Sequence, residues 1–401
     1  MPTTGLLKSV RVLDLTRVWA GPLATRMLGD FGAEVVKIVD PRAPDGREGG
    51  INNKLNRNKQ GLSLRLDEPA GKQLFLDLVS VSDVVVENFR PRVMRNFGLT
   101  YDVLRGVRPD LIMCSMPGFG TQGEYAEYPA FGPSVETMTG ITSLMGYPGG
   151  PPQASAIAYP DPVAGMNSAG AIMTALWHRK RTGRGQFIDL ALSEGPVCQI
   201  GEQIVAFSRT GEQPARHGNN HPDHAPYGCY PTAGDDQWVA ICITSNARWQ
   251  SLREAMGEPA WARDSELDHE SGRVALRDRI DAHFSEWTAN KDAAELAHEL
   301  QSRGIAAGPV LNNQQLLEDP HMAARGYFVD IDEPDVGPKR YPGQAIRMSS
   351  TPASQWTRSA LQGEHTSGLL KELLGAPDAD VASWVEQAVV GILTDELDDP
   401  E

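Results

Sequence analysis

The sequence predicts an α/β fold with a large domain built on a Rossmann-like parallel sheet and a smaller α+β domain. In the first 115 residues, runs rich in Val, Ile and Leu alternate with helical runs of about 10 residues, which is typical of parallel strands joined by helices. The chain has 401 residues, more than one hydrophobic core usually fills, so we expect two domains.

The predicted elements of the large domain follow in chain order. Strands are predicted at residues 10–15, 34–39, 62–66, 84–86, 111–115 and 187–192, with helical runs at 23–31 and 69–80. A longer helix is predicted after residue 161, because apolar residues recur at helical spacing from Val163 to Trp177 and the pattern stops at Thr182-Gly183. Pro162 suits the first position of that helix, which places Asp161 at the N-cap.

The first part of the large domain is expected over residues 1–210 and the small domain over residues 225–315. Between them, residues 214–228 are rich in glycine and proline and have poor periodicity, which indicates a connector. The small domain opens on a predicted strand at 237–244 and closes on one near 308–310. The acidic tail, residues 394–401, is expected to be disordered.

The charge distribution bears on the kind of ligand. A net charge of −15 argues against a nucleic-acid partner or an anionic membrane surface. Residues 1–110 carry 17 Lys and Arg against 13 Asp and Glu, whereas the remainder carries 20 against 39. A polyphosphate ligand would be attracted to the N-terminal part. A chance difference in the charged residues on solvent-exposed faces would give the same counts of Lys, Arg, Asp and Glu.

The sequence shows no targeting signal and no close cysteine pairs, and we therefore expect a cytoplasmic protein. No run of 18 apolar residues occurs, and the N-terminus lacks an apolar signal core. The cysteines have no close pair spacing and are expected to be thiols rather than disulfides or zinc ligands: Cys114, Cys198, Cys229 and Cys242.

Two other kinds of site are disfavoured. A dinucleotide site would use Asp40 at the end of the second strand, but the first turn contains no G-x-G-x-x-G, which disfavours a nicotinamide or flavin enzyme. His217, His221 and His224 lie close in sequence, but the neighbouring glycine and prolines favour irregular chain, and no metal site is predicted.

Asp161 has two interpretations. On spacing alone it is a structural N-cap that accepts backbone N–H groups. The same position would keep the carboxylate ionised and available as a nucleophile.

The segment that begins at Asp161 resembles the core signature of the family III CoA-transferases, the formyl-CoA transferase and carnitine CoA-transferase group. The signature, D-x-x-x-G followed by AL-x-x-R-x-x-TG-x-GQ-x-x-D, is matched by Asp161, Gly165, Ala175-Leu176, Arg179, Thr182-Gly183, Gly185-Gln186 and Asp189. Further matching segments lie in a consistent order at residues 10–22, 32–38, 56–59, 83–91, 118–126, 304–310, 319–326 and 363–366.

The resemblance implies an architecture and a reaction. Residues 320–401 would return to complete the large domain, and two chains would form an interlocked homodimer. Asp161 would be the catalytic nucleophile, forming a mixed anhydride and then an aspartyl-CoA thioester. The partners would be an acyl-CoA and a carboxylic acid acceptor, with coenzyme A as a substrate and no permanently bound cofactor.

The resemblance also implies a coenzyme A site in the loops after the N-terminal strands, with Phe89 offering apolar surface to the adenine. The residues carried over by position are Arg17, Val18, Lys59, Leu64, Asn88, Phe89 and Arg90. The chain departs from the family's pattern at Asn96, where many relatives have Arg, and at Val39, where an acid is frequent. Glycines that could stabilise an oxyanion with their N–H groups are Gly118, Gly120 and Gly149-Gly150.

Two alternatives remain open. A 2-methylacyl-CoA racemase of the same superfamily would need a second acid/base group, and in that branch a His lies in the segment matching residues 129–134. This chain has Ala130-Phe131-Gly132 there, which favours the transferase. A non-catalytic CoA-binding protein would instead bury Asp161 as a cap.

Three aromatic residues are candidates for lining an acyl pocket: Trp19, Phe131 and Tyr227. The sequence does not determine which acids are transferred.

Overall fold

The parallel strands predicted for the N-terminal half are present in the computed structural model, which describes residues 5–43, 51–334, 336–353 and 356–393. The tail predicted to be disordered, residues 394–401, lies outside the described residues. The strands are β1 (Arg11–Asp14), β2 (Glu34–Val39), β3 (Lys59–Leu64), β4 (Val84–Glu87), β5 (Ile112–Ser115), β6 (Phe187–Asp189), β7 (Tyr227–Pro231), β8 (Trp238–Cys242), β9 (Ala306–Pro309), β10 (Phe328–Glu333), β11 (Gly337–Pro342) and β12 (Val390–Gly391).

Helices follow most of the strands. They are α1 (Ala20–Asp30), α2 (Ile51–Asn56), α3 (Pro69–Ser80), α4 (Pro91–Phe97), α5 (Tyr101–Val107), α6 (Gly132–Met138), α7 (Ile141–Leu144), α8 (Pro160–Thr182), α9 (Glu194–Gln199), α10 (Gly201–Thr210), α11 (Asn246–Ala255), α12 (Glu270–Ala275), α13 (Arg277–Thr288), α14 (Ala293–Ser302), α15 (Asn313–Glu318), α16 (Pro320–Ala324), α17 (Thr366–Leu374) and α18 (Asp378–Glu386). No helix among the described residues has both the length and the apolar character needed to cross a bilayer.

The chain divides into two units. The larger comprises residues 1–142, 154–210 and 324–401, and the smaller comprises residues 143–153 and 211–323. The large parallel sheet lies in the larger unit, so the α/β prediction is confirmed. Residues 143–153 were not predicted to belong with the small domain, because a short Pro/Gly-rich segment carries no periodicity that would assign it to either unit.

The main sheet has the strand order β12-β3-β2-β1-β4-β5-β6, and its neighbouring strands are parallel except for β12, which is antiparallel to β3. Without β12 the order is 3-2-1-4-5-6, that of dinucleotide-binding folds. The direction of winding reverses between β1 and β4. Such a sheet opens a crevice at the carboxyl ends of these two strands, where ligands bind in open α/β folds.

Both faces of the sheet are covered, which explains the continuous apolar runs of its strands. Successive residues of β1 point to opposite faces, and Val12 and Leu13 accordingly enter two separate hydrophobic cores. The core containing Leu13 includes Phe75 of α3, while the core containing Val12 includes Ala24 of α1 and Ile172 of α8. The long helix α8 is therefore packed beside α1 on one face of the sheet.

The smaller unit has an antiparallel sheet of order β7-β8-β9 packed with helices. Its core centres on Trp249, Phe284 and Ile241, all fully buried. The strands predicted at 237–244 and near 308–310 correspond to β8 and β9.

Candidate active site

Asp161 lies in the first turn of α8, so the prediction that it is the N-cap residue was wrong. The helix begins at Pro160, and Tyr159 in front of it already has helical dihedral angles, φ −45° and ψ −36°. Either proline can occupy the start of a helix, because neither needs an N–H partner there, and the sequence alone could not choose between Pro160 and Pro162. Asp161 therefore lies inside the helix rather than in front of it.

The carboxylate of Asp161 contacts two other elements. Its Oδ1 accepts a hydrogen bond from the backbone N–H of Ala20, 3.3 Å away, and Ala20 is the first residue of α1. Its Oδ2 lies against Gly132, the first residue of α6, where an added Cβ would be 1.8 Å from that oxygen. The N-terminal end of the α1 dipole therefore acts on Asp161, in addition to that of α8.

The glycine of D-x-x-x-G explains how α1 comes so close. Gly165 lies one turn after Asp161, and a Cβ there would be 2.7 Å from the carbonyl oxygen of Ala20 and 3.0 Å from Leu23 Cδ2. Any side chain at this position would push α1 away from α8. The motif thus pairs an acid with the glycine that lets a neighbouring helix start donate to it.

Burial raises the pKa of the Asp161 carboxyl to about 6, and the hydrogen bond from Ala20 opposes that rise. The side chain is buried, with 6% of the residue exposed. At neutral pH the group is mostly ionised yet poorly solvated, and both properties favour a nucleophilic carboxylate.

A buried charge cluster lies beneath the loop between β1 and α1. Asp14 at the end of β1 is fully buried and binds the ammonium of Lys59 at 2.9 Å and that of Lys37 at 3.5 Å. Burial alone would raise the pKa of Asp14, but the two lysines and the hydroxyls of Thr16 and Thr25 hold it below its ordinary value.

Both lysines of the cluster also hold the loop itself. Lys59 Nζ donates to the carbonyl of Pro22 at 3.0 Å and to Asn56 Oδ1 at 2.9 Å, so its three donors are used within the protein. Lys37 Nζ donates to the carbonyl of Thr16. The geometry gives Lys59 a structural role in positioning the loop, and any contact to a phosphate would require it to exchange one of these partners.

Asn88 joins the two loops at the crevice. Its Oδ1 accepts from the backbone N–H of Arg17 and its Nδ2 donates to the carbonyl of Arg17, both at 2.8 Å. The guanidinium of Arg17 lies 5.6 Å from the centroid of the Phe89 ring. The structure therefore brings Arg17, Asn88 and Phe89 together where the strand order reverses.

A cavity of about 440 Å³ lies beside this loop. Its lining includes Arg17, Val18 and Lys59 from the predicted coenzyme A contacts, together with Trp19 and Val39. Val18 is 65% exposed and has a φ of +68°, a conformation that bulky residues rarely adopt. The loop thus presents an apolar and cationic rim to the cavity.

The other two predicted contacts lie elsewhere. Leu64 is buried in the core that contains Leu13, at the end of β3 where Val390 pairs with it. Arg90 is half-buried at the residue before α4. The structure does not bring Leu64 to the cavity.

Sequence reasoning missed Ala20 and Gly132, because both act through the backbone and carry no chemical side chain. It also missed Glu87 at the end of β4, which is buried and accepts hydrogen bonds from the backbone N–H of Phe89 at 2.8 Å and from the hydroxyl of Ser115. Burial raises the pKa of Glu87 to about 7. The sequence signal for Glu87 was available: it is an acidic residue at the end of the apolar strand VVVE, where a ligand site is expected.

The remaining candidates are placed as follows. A Cβ on Gly118 would lie 2.4 Å from that of Ala130, and Gly120 has a φ of +81° beside Asp189. Phe131 is 66% exposed and directly precedes Gly132. Gly149-Gly150 and Tyr227 belong to the smaller unit.

The histidine-rich connector is also in the smaller unit. The rings of His221 and His224 stack with centroids 4.5 Å apart, and His224 Nδ1 lies 2.5 Å from Glu270 Oε1. Within the described part of the chain, no group of three His, Cys, Asp or Glu side chains is placed to hold a metal ion.

Comparison with known sequences gives a consistent family. Residues 7–366 match the sequence profile of CoA-transferase family III. The chain is 34% identical to the succinyl-CoA–D-citramalate CoA-transferase of Chloroflexus aurantiacus, over 96% of this chain and 98% of that protein. It is 35% identical to the succinyl-CoA:mesaconate CoA-transferase of Haloarcula marismortui, over 92% and 96% respectively. It is 33% identical to the succinate–glutarate CoA-transferase of Agrobacterium fabrum, over 92% and 95%.

Solved structures agree with this result. A CAIB/BAIF family protein from Brucella suis superposes with a TM-score of 0.85 and 31% sequence identity, covering 92% of this chain and all of that one. The match to the family profile and the relatives above 30% identity both extend over most of the chain. The chain therefore belongs to CoA-transferase family III and is an acyl-CoA:carboxylate CoA-transferase.

Proposed function

We propose that the protein transfers coenzyme A through covalent intermediates on Asp161. The Asp161 carboxylate attacks the thioester carbonyl of the donor, the C–S bond breaks, and coenzyme A leaves as a thiolate. The thiolate then attacks the aspartyl carbonyl of the resulting anhydride, which releases the donor acid and leaves an aspartyl-CoA thioester. The acceptor carboxylate repeats these two steps in reverse, restoring Asp161 and leaving as its CoA thioester.

The observation that carries this proposal is the setting of the Asp161 carboxylate. It is buried, and it accepts a hydrogen bond from the N–H of Ala20 at the start of another helix, α1. A structural N-cap would instead accept the N–H groups that lie two or three residues further along its own helix. Asp161 lies inside the first turn and accepts the N–H of a different helix, and its contact within its own helix is with its own backbone N–H. These contacts favour a reactive group over the non-catalytic alternative.

Coenzyme A is proposed to bind at the carboxyl ends of β1 and β4. The Asn88 bridge and the Arg17–Phe89 contact support this location, and the cavity lies on the β2 side of the same Arg17–Val18 loop, where Val39 lines it. Arg90 is proposed to contact a phosphate of coenzyme A. Lys59 is proposed to support the loop from beneath, and Leu64 to shape the site through the core.

The transferase mechanism is favoured over the racemase by the close approach of Gly132. The racemase alternative needs a second acid/base group in the segment 129–134. In this chain, the residue of that segment that touches Asp161 is a glycine, and an added Cβ would overlap Oδ2. The space beside the carboxylate therefore accommodates backbone rather than an imidazole.

A dicarboxylic acyl group is the proposed substrate class. The three relatives described above are named for succinyl-CoA or succinate together with a second dicarboxylic acid. We propose that this chain also exchanges coenzyme A between two such acids.

The protein is further proposed to act as an interlocked homodimer in the cytoplasm. Helix α10 buries no residue within its own chain, and Ile204, Val205 and Phe207 on it are exposed. Several exposed apolar side chains on one helix are typical of an interface. The four cysteines are free thiols, which fits a reducing compartment.

The test is a transfer assay. The protein is incubated with succinyl-CoA and a panel of carboxylic acids, and new CoA thioesters are separated by chromatography. The proposal expects transfer to at least one dicarboxylic acid. In Asp161→Asn, kcat for transfer should fall by at least about 1,000-fold, because the variant lacks the nucleophile. α-Deuterium exchange into a 2-methylacyl-CoA without transfer would instead support the racemase.

A further inference from the structure

Glu136 is a buried acid near Asp161 that the proposed chemistry does not use. It lies on α6, one turn after Gly132, and 0% of the residue is exposed. Gly132 lies against Asp161 Oδ2, and a Cβ on it would also be 2.7 Å from the Cβ of Ala158. Helix α6 therefore contacts Asp161 through its first residue and carries a buried carboxylate one turn further along.

The carboxylate of Glu136 binds Ser155 through both of its oxygens. Oε1 accepts the backbone N–H of Ser155 at 2.6 Å, and Oε2 accepts the Ser155 hydroxyl at 2.5 Å. Hydrogen bonds to an ionised acceptor are stronger than those between neutral groups. The acid therefore fixes the backbone of Ser155 as well as its side chain.

Ser155 lies where the chain has just returned to the larger unit. Residues 143–153 belong to the smaller unit, and the larger unit resumes at Ala154. Residues 151–154, 156 and 157 are exposed, whereas Ser155 is half-buried. Its bonds to Glu136 therefore anchor an otherwise exposed segment that leads to Asp161.

The segment between this anchor and Asp161 contains a strained residue. Ala158 has a φ of +49°, in the left-handed region that residues with a Cβ rarely adopt, and its carbonyl accepts the N–H of Asp161 at 3.0 Å. Such a conformation persists only where the surrounding structure holds it. Gly132 lies against Ala158, and Ser155 anchors the chain three residues before it, so α6 holds this turn at two points.

Helix α6 is itself fixed in the core of the larger unit. Val135, next to Glu136, is fully buried in the same core as Ala24 of α1 and Ile172 of α8. These are the two helices whose contact brings an N–H to Asp161. A segment that is bound to α6 therefore keeps its position relative to both.

We propose that Glu136 is a positioning residue for Asp161. Its carboxylate fixes Ser155, and Ser155 in turn holds the turn at Ala158 that leads into α8. Glu136 acts through these contacts and takes no part in bond making. The inference rests on the proposed function, because it assigns a role to a second acid beside the same nucleophile.

The first test is steady-state transfer from succinyl-CoA to the best acceptor of the assay above. Glu136→Ala is expected to lower kcat by about 10- to 100-fold, since a small displacement of a reacting group has an effect of that size. The KM for succinyl-CoA should change little, because the proposed coenzyme A site lies at β1 and β4. Glu136→Gln keeps an oxygen that can accept the N–H of Ser155 and should retain most of the activity. An equal loss in the Gln and Ala variants would overturn the assignment.

Two further variants separate positioning from a loss of folded protein. Ser155→Ala removes only the hydroxyl that Glu136 binds and should lower kcat by about 3- to 10-fold, the range for one hydrogen bond. Glu34→Ala is the matched control, because it removes another buried acid, which pairs with Arg11 at 2.8 Å at the amino ends of β1 and β2. It should lower thermal stability and leave kcat per folded chain unchanged. Equal losses of kcat in Glu34→Ala and Glu136→Ala would contradict a positioning role.

Hydrogen–deuterium exchange read by mass spectrometry tests the anchor without turnover. In Glu136→Ala, peptides covering residues 155–161 should exchange about 10-fold faster than in wild type, while peptides of α5 should not change. That result supports the assignment even if the chemistry on Asp161 proceeds by another route, whereas a wild type without transfer activity counts against the proposed function alone. Unchanged exchange at 155–161, or faster exchange with the wild-type kcat, overturns the assignment.

Discussion

The Asp161 carboxylate combines two requirements that oppose each other in water. A carboxylate must be ionised to attack a thioester, yet a fully solvated carboxylate is a weak nucleophile. Burial weakens its solvation and raises its pKa to about 6, and the N–H of Ala20 opposes that rise, so the group is mostly ionised at neutral pH. The environment of Asp161 therefore suits the proposed nucleophile, at a cost to the stability of the folded chain.

That cost gives the first prediction. The pKa of Asp161 is raised in the folded state, from an ordinary 3.8 to about 6, so its contribution to stability is present below about pH 4 and is lost as the pH rises through 6. Asp161→Asn removes this loss. The free energy of unfolding of the variant relative to wild type should increase by about 2 kcal/mol between pH 4 and pH 8, measured by urea denaturation. A difference that does not vary with pH would contradict the raised pKa.

At the residue scale, the sequence predicted Asp161 as the candidate nucleophile but did not predict the residues that contact it. Asp161 was found because its motif resembles that of a family and has a distinctive spacing. Ala20 contributes a backbone N–H, and Gly132 leaves space because it has no side chain. Neither contribution can be predicted from the residue type alone. The position of Lys59 was also hidden, because its partner Asp14 lies 45 residues away in sequence.

At the scale of elements, the close packing of α1 on α8 places the N–H of Ala20 at Asp161. Gly165→Ala would put a Cβ 2.7 Å from the Ala20 carbonyl oxygen and 3.0 Å from Leu23. Overpacking of this kind costs about 1–3 kcal/mol, and separation of the helices should lower kcat together with stability.

The matched control for that change is Gly106→Ala in α5, where no atom outside the adjacent residues and the helix's own backbone lies within 4 Å of the added Cβ. It should be neutral or stabilise by up to about 1 kcal/mol, because alanine restricts the unfolded chain. Thermal unfolding and steady-state rates of both variants are the measurements. Equal behaviour of the two alanines would mean that the α1–α8 contact does not depend on Gly165.

The loop between β1 and α1 yields a second prediction for an element. Lys59→Met leaves the buried Asp14 with Lys37 alone, and breaking a buried ion pair costs about 3–5 kcal/mol. The free energy of unfolding should fall by that order, and adding Asp14→Asn should recover part of it. If stability is unchanged and only the KM for the CoA thioester rises, Lys59 acts as a phosphate contact and not as a support for the loop.

The strands of the main sheet were largely predictable because each is a continuous apolar run buried on both faces. The third strand begins at Lys59 rather than at residue 62, since Lys59 and Gln60 are polar yet pair with β2. The two-residue strand β12 is too short for periodicity to show. Its pairing with β3 depends on residues more than 300 positions apart in sequence.

At the scale of the whole molecule, the strand order places the Arg17 and Asn88 loops together, and the return of the chain at β12 closes one edge of the sheet. Resemblance predicted that a C-terminal segment returns to the large domain. The contribution of residues 143–153 to the smaller unit depends on contacts that no local pattern encodes.

The prediction at this scale concerns assembly. Light scattering should give wild type twice the 43.6 kDa mass of the chain. Val205→Asp with Phe207→Asp should shift that mass toward the single-chain value, because it places charges in the proposed interface. Val103→Asp, on an exposed residue of α5, is the matched control. A wild-type protein that scatters as a single chain would contradict the homodimer.

The central claim is that Asp161 carries the acyl and CoA groups during transfer. The most direct measurement is intact-mass and peptide analysis of protein mixed with succinyl-CoA and quenched with hydroxylamine or borohydride, with Asp161→Asn treated alongside. The account predicts a modification on the peptide containing Asp161, at a stoichiometry approaching one per chain, and none in the variant. Transfer activity with an unmodified Asp161 peptide, or with the label on another residue, would contradict it.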